Sequence, residues 1–269
     1  MKARELLIYI SLLCKGDWDK ITAHLKSRKV LDLSQAEDRV KALRCKAVTI
    51  IDPEYPQSLK HLSNPPYVLY YLGDLSLLDD YGRCIAYVGS REASSYGVKK
   101  ATEISAQLAA DGYSVISGLA KGIDAASARG AIAHKKAVAV IGNGLDTYYP
   151  SGNSPLQREI AHNGLLLSEY PYDTPPKATN FPMRNRIIAA LANAVVVGEA
   201  GRRSGAMITV NIALCLGREV GCLPFRAYED KTNNRLIKEG AYLIEEAEDV
   251  YAMLSHTIAK PKEAESEEV

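Results

Sequence analysis

Residues 84–91 read Cys-Ile-Ala-Tyr-Val-Gly-Ser-Arg, and residues 113–124 read Tyr-Ser-Val-Ile-Ser-Gly-Leu-Ala-Lys-Gly-Ile-Asp. Each is a short apolar run that ends on a glycine followed closely by a hydroxyl or a cation. Between them Val98, Ala101, Ile104 and Leu108 fall on one helical stripe, which Gly112 ends. Strand, glycine turn, helix, strand is the unit of a parallel sheet with crossover helices.

The unit recurs outward from there. Further strands are expected at residues 47–51, 67–72, 137–141, 165–168, 194–198 and 219–223, and further helices at 124–133, 183–192 and 204–216. The strand runs lack polar alternation, as strands covered on both faces do. The fold class is therefore α/β, an extended Rossmann-like, doubly wound, mostly parallel sheet over residues 46–255. Residues 1–45 are expected as a small helical module with helices at 3–13, 18–26 and 34–43, the last opened by a Ser34/Glu37 capping box. Leu6, Ile10 and Leu13 are expected to share a helix face. The run 6–14 resembles a secretory core, but Glu5, Lys15 and the lack of a small-residue cleavage site favour the helix. Residues 256–269 are expected as an acidic, disordered tail.

Composition narrows the class of partner. The 269 residues carry 33 basic and 32 acidic side chains, so a broadly cationic surface is excluded and any polyanion must be met by local placement. Five scattered cysteines form no metal-spaced set and read as reduced thiols, consistent with a cytoplasmic protein. No apolar run reaches transmembrane length, so no membrane association is expected.

In an open α/β sheet, ligands meet the C-terminal ends of the strands. There the chain collects Gly89-Ser90-Arg91, Gly118 to Asp124, Gly142-Asn143-Gly144, Glu169 and Glu199 to Gly205. Glycines admit a ligand close to the backbone, free amides at helix starts favour anions, and Arg91 and Lys121 add full charges. This edge is read as a phosphate site. Asp124 is expected in a helix first turn, stabilising the dipole. Arg184 and Arg186, two residues apart, are not both expected to face the core. One should reach the strand-end edge, with ion pairs to Glu169 or Glu199 as the alternative for either. Phe181 could stack on a base or fill the core. There is no GxxxxGK[ST], no GxGxxG after the first strand of the pair and no GxSxG. Binding without catalysis is the expectation, with neither a metal nor a cofactor implied.

Several strings then occur together in order. They are Tyr87 to Arg91, Ser117 to Asp124, Ile141 to Asp146 with Tyr149-Pro150, Ser168 to Pro171, Asn180-Phe181-Pro182 with Arg184 to Ala189, Glu199-Ala200-Gly201 with Arg203 to Ala206 and Ile208-Thr209, and Arg235-Leu236-Ile237 with Glu239-Gly240-Ala241. On these the chain resembles the bacterial DNA-processing protein A family (DprA, also called Smf). The resemblance implies an extended Rossmann fold that binds single-stranded DNA, protects it, and loads RecA recombinase onto it during natural transformation, usually as a homodimer. It also implies a DNA pocket of Gly89, Ser90, Arg91, Gly118, Lys121 and Gly122, flanked by Arg184 and Arg186. Leu119, Asn185 and Ser204 lie inside the shared strings, and Lys177 stands near an expected basic position. The chain departs from the family at Ser151-Gly152-Asn153, where basic residues are common, at Pro224-Phe225-Arg226 and at Asn233-Asn234. Two other readings of such an edge are a phosphoribohydrolase-like nucleotide enzyme and a small-nucleotide sensor.

Overall fold

The structure is a computed structural model that describes residues 2–27, 33–201, 204–229 and 232–258. The chain runs α1 (Ala3–Leu13), α2 (Trp18–Ser27), α3 (Leu33–Lys41), β1 (Lys46–Thr49), β2 (Val68–Gly73), β3 (Cys84–Gly89), α4 (Ser95–Ala110), β4 (Ser114–Ser117) and α5 (Ile123–Ile132). It continues β5 (Ala137–Ile141), α6 (Ser154–Asn163), β6 (Leu165–Ser168), α7 (Asn180–Leu191), β7 (Ala194–Glu199), α8 (Gly205–Cys215), β8 (Glu219–Cys222), α9 (Thr232–Lys238), β9 (Tyr242–Leu243) and α10 (Ala247–Ile258).

The strands form one sheet in the order β1-β2-β6-β5-β4-β3-β7-β8-β9. From β6 to β9 every pairing is parallel, whereas β1 and β2 join antiparallel at one edge. The chain builds outward from β3 through β4 to β6, then returns to lay β7 on the other side of β3. That reversal opens a crevice above the C-terminal ends of β3, β4 and β7.

Two apolar layers cover the sheet. Leu108, Ile123, Ile160 and Val250, from α4, α5, α6 and α10, lie on one face. Ile187, Ile188 and Val210, from α7 and α8, lie on the other, with Tyr55 and Leu59 from the segment preceding β2. The N-terminal helices pack on the first layer. Leu7 and Ile8 enter it, the Tyr70 hydroxyl meets Ser11, and Trp18 donates to the Pro65 carbonyl while stacking on Tyr67.

α1 buries Leu7 to Ser11, which includes Ile10 of the expected face, and leaves Leu13 39% exposed. Three expectations change. Ser34 lies inside α3 rather than ahead of it, so it is not the N-cap. Residues 256–258 continue α10, and residues 259–269 lie outside the described part. Cys84 and Cys222 are buried small hydrophobes, but Cys215 is exposed. Among the described residues no helix is long and apolar enough to cross a membrane.

Candidate nucleic-acid interface

The crevice is a cleft of about 600 Å³. Its walls come from the turn after β3 (Gly89, Ser90, Arg91), the first turns of α7 (Phe181, Arg184, Asn185), the start of α8 (Ser204, Gly205) and Tyr149. The loops that carry the two expected cations touch. The Ile123 amide donates to the Ser90 carbonyl at 3.1 Å, and Gly122 holds φ +75° against the Arg91 backbone, a conformation that favours glycine.

Part of the expected crown of free amides is taken by two buried carboxylates. Asp124 accepts from the amides of Gly118 (3.1 Å) and Ala120 (3.5 Å), with Gly89 contributing a third bond. Glu199 accepts from the Ser94 amide at 2.9 Å and the Ser94 hydroxyl at 2.7 Å, closing the start of α4. A helix start that meets an internal carboxylate has its positive end neutralised. Asp124 thus sits in the first turn as expected, but it is buried and organises the turn between β4 and α5. Burial raises its pKa above the ordinary carboxylate value, against the opposing charge of Arg184 and the amide bonds.

The cleft's charge therefore resides on side chains. Arg184 is 5% exposed and lines the floor. Its Nη1 donates to the Val140 carbonyl at 2.7 Å, and its Nε has no partner among the described residues. Burial pulls its pKa down to about 10, while Asp124 acts the other way. A Cβ on Gly118 would fall on this guanidinium. At the rim Arg91 is exposed, with its guanidinium 5.8 Å from the Phe181 ring centre. Phe181 in turn lies 5.4 Å from Tyr149. Asn185 Nδ2 donates to the Gly205 carbonyl at 3.1 Å, tying α7 to α8, and the Ser204 hydroxyl has no partner among the described residues.

Arg184 and Arg186 are both buried, and one of them reaches the strand-end edge as expected. Arg184 turns toward the sheet edge. Arg186, 4% exposed, meets Glu169 through Nη2 at 2.6 and 2.8 Å and does not line the cleft. This is the ion-pair alternative. Lys121 and Lys177 are exposed beside the cleft without lining it, and the Leu119 side chain is fully buried. Arg202 and Arg203 lie outside the described residues.

The departures from the family pattern are structural. Asn153 is buried and donates to the carbonyls of Leu119 (2.9 Å) and Ala120 (3.2 Å), bracing the loop before Lys121. Asn233 bonds the Ala200 amide and the Val197 carbonyl, and Asn234 pairs with both backbone groups of Phe225. Tyr149, Ile208 and Thr209, which lie in the strings shared with the family, also line the cleft.

Residues 46–255 match the family model described as DNA recombination-mediator protein A. The Smf protein of Synechocystis is 43% identical over 176 residues, covering 64% of this chain and 44% of that relative's own length. The X-ray structure of DNA processing protein A from Streptococcus pneumoniae superposes with a TM-score of 0.76 at 31% identity, over 94% of this chain and 98% of that one. A structure of DNA processing protein A from Helicobacter pylori, for which a single-stranded DNA binding mode is described, gives 0.72 at 30% identity, over 80% and 98%.

Proposed function

The chain belongs to the DNA recombination-mediator protein A family, and on that premise we propose that it binds single-stranded DNA in the cleft above β3, β4 and β7. The observation that carries this reading is the pairing of a buried, incompletely bonded Arg184 on the floor with exposed Arg91 and Tyr149 on either side of a half-buried Phe181 at the rim. Guanidinium groups hold phosphates, and an aromatic face accepts any base, so contact of this kind tolerates sequence. A single strand bends into such a crevice, whereas a duplex must be deformed to enter. Lys121 and Lys177, at the margins, extend the attraction to flanking phosphates.

The reading extends to the whole protein. It acts as a binder rather than an enzyme, in the cytoplasm, works as a homodimer whose two clefts raise avidity, protects the strand, and passes it to RecA recombinase in transformation. The test is a fluorescence-anisotropy titration of oligo-dT and of duplex of equal length at two salt concentrations. Tighter binding of oligo-dT, weakening with salt, is expected. Arg91→Ala should cost about 1–3 kcal/mol of that binding. Equal affinity for duplex, or an unaffected Arg91→Ala variant, refutes the site.

A further inference from the structure

We propose that the single-strand track continues past the first cleft, over Tyr149 and Tyr148, into a second cavity beside α6 that takes further nucleotides of the same strand. The inference rests on the single-strand reading of the first cleft and names a subsite beyond it.

Tyr148 and Tyr149 are consecutive and exposed, at 38% and 43%. They serve different hollows. Tyr149 lines the first cleft, and Tyr148 lines a cavity of about 250 Å³ with Arg158, His162, Leu145 and Tyr172. Both tyrosines of this second cavity carry a guanidinium on the ring. Arg158 lies 4.7 Å from the centre of Tyr148, and Arg44 lies 4.7 Å from the centre of Tyr172. With Arg91 on Phe181, cation and ring alternate from one cavity to the next.

The platform is rigid where it matters. Asn143 donates to the Thr147 carbonyl at 2.7 Å, and Gln157 donates to the carbonyls of Thr147 (3.1 Å) and Leu145 (3.2 Å). Both amide side chains are buried, so the loop presenting Tyr148 is held from beneath. Charge favours an anion. Asp146 is answered by Arg44 at 3.8 Å, and among the described residues no carboxylate lies within ion-pair distance of Arg158. An exposed cation on a ring contributes little to folding. Flat, cationic, solvent-facing pairs at successive positions are what successive bases and phosphates of an unpaired strand use.

The experiment titrates the full chain with oligo-dT of about 5 and about 15 nucleotides, lengths near the two ends of the range of site sizes of single-strand binders. Tyr148→Ala and Arg158→Ala should weaken the longer oligomer about fivefold or more and leave the shorter unchanged. Arg91→Ala should weaken both. Both altered positions are exposed, and Arg158→Glu adds a charge reversal that should deepen the loss without touching the core. If the longer oligomer binds the Tyr148 and Arg158 variants as well as the parent while Arg91→Ala still weakens both lengths, the second subsite is overturned and the first cleft stands. If Arg91→Ala weakens neither length, the first cleft fails, and the extended track with it.

Discussion

Gly118 and Arg184 compete for one volume: the position of a side chain at residue 118 is already filled by the Arg184 guanidinium, which reaches past it to the Val140 carbonyl. Gly118→Ala should therefore push Arg184 off the cleft floor. We expect a loss of about 1–3 kcal/mol in stability, as for other overpacked sites, together with weaker oligo-dT binding. Gly152→Ala, where an added Cβ meets nothing within 4 Å, is the control. Urea midpoints and anisotropy read both, and equal behaviour of the two variants refutes the clash.

Arg186 is tied to folding. Removing it leaves Glu169 buried with its charge unanswered, a situation that costs about 3–5 kcal/mol. Arg186→Ala should lower the denaturation midpoint accordingly. The double change Arg186→Met with Glu169→Gln should recover much of the loss, because it leaves no stranded charge. A single variant as stable as the parent contradicts the buried pair.

Asp124 gives a pH dependence with an unusual sign. Its folded pKa is raised by burial, so between the unfolded value, about 3.9, and the folded one the native state holds more protons than the unfolded chain. Stability from this group is present at low pH and falls as pH rises through that window. Asp124→Asn keeps an oxygen for the Gly118 and Ala120 amides and should abolish this component. Urea midpoints across mildly acidic pH compare the two proteins, and parallel curves would show that Asp124 does not titrate there.

Asn153 acts on the loop before Lys121. Leu119 adopts φ +56°, outside the range most side chains prefer, and its carbonyl is held by Asn153. Asn153→Ala strands two carbonyls, for about 1–3 kcal/mol. Amide exchange at Leu119 to Gly122 should accelerate, and unchanged exchange removes this role.

What was legible in the residues follows from where the information is local. β5 and β6 fall on residues 137–141 and 165–168 as expected, since uninterrupted aliphatic runs bounded by turns have little freedom. β9 is two residues long, too short for any period, and α6 hides behind Pro155 and a polar run. The cleft positions of Gly89, Ser90, Arg91 and Ser204 could be anticipated from strand ends, and that of Asn185 from the family resemblance. The burial of both Arg184 and Arg186 could not. Tyr55 and Leu59, more than a hundred residues earlier, share the apolar layer with Ile187 and Ile188 of α7. Nor could the capture of the turn amides by Asp124 and Glu199 be foreseen, because a carboxylate near a glycine turn reads equally as surface charge.

That capture bears on which anions can compete. A compact ion such as pyrophosphate gains most from a tight nest of backbone donors, and here the Gly118, Ala120 and Ser94 amides are already taken by Asp124 and Glu199. The remaining attraction is distributed over separated guanidinium and ammonium groups, a spacing that rewards length over charge density. Small dense phosphates should be weak rivals, and selectivity for long flexible polymers arises from what the fold has already used up.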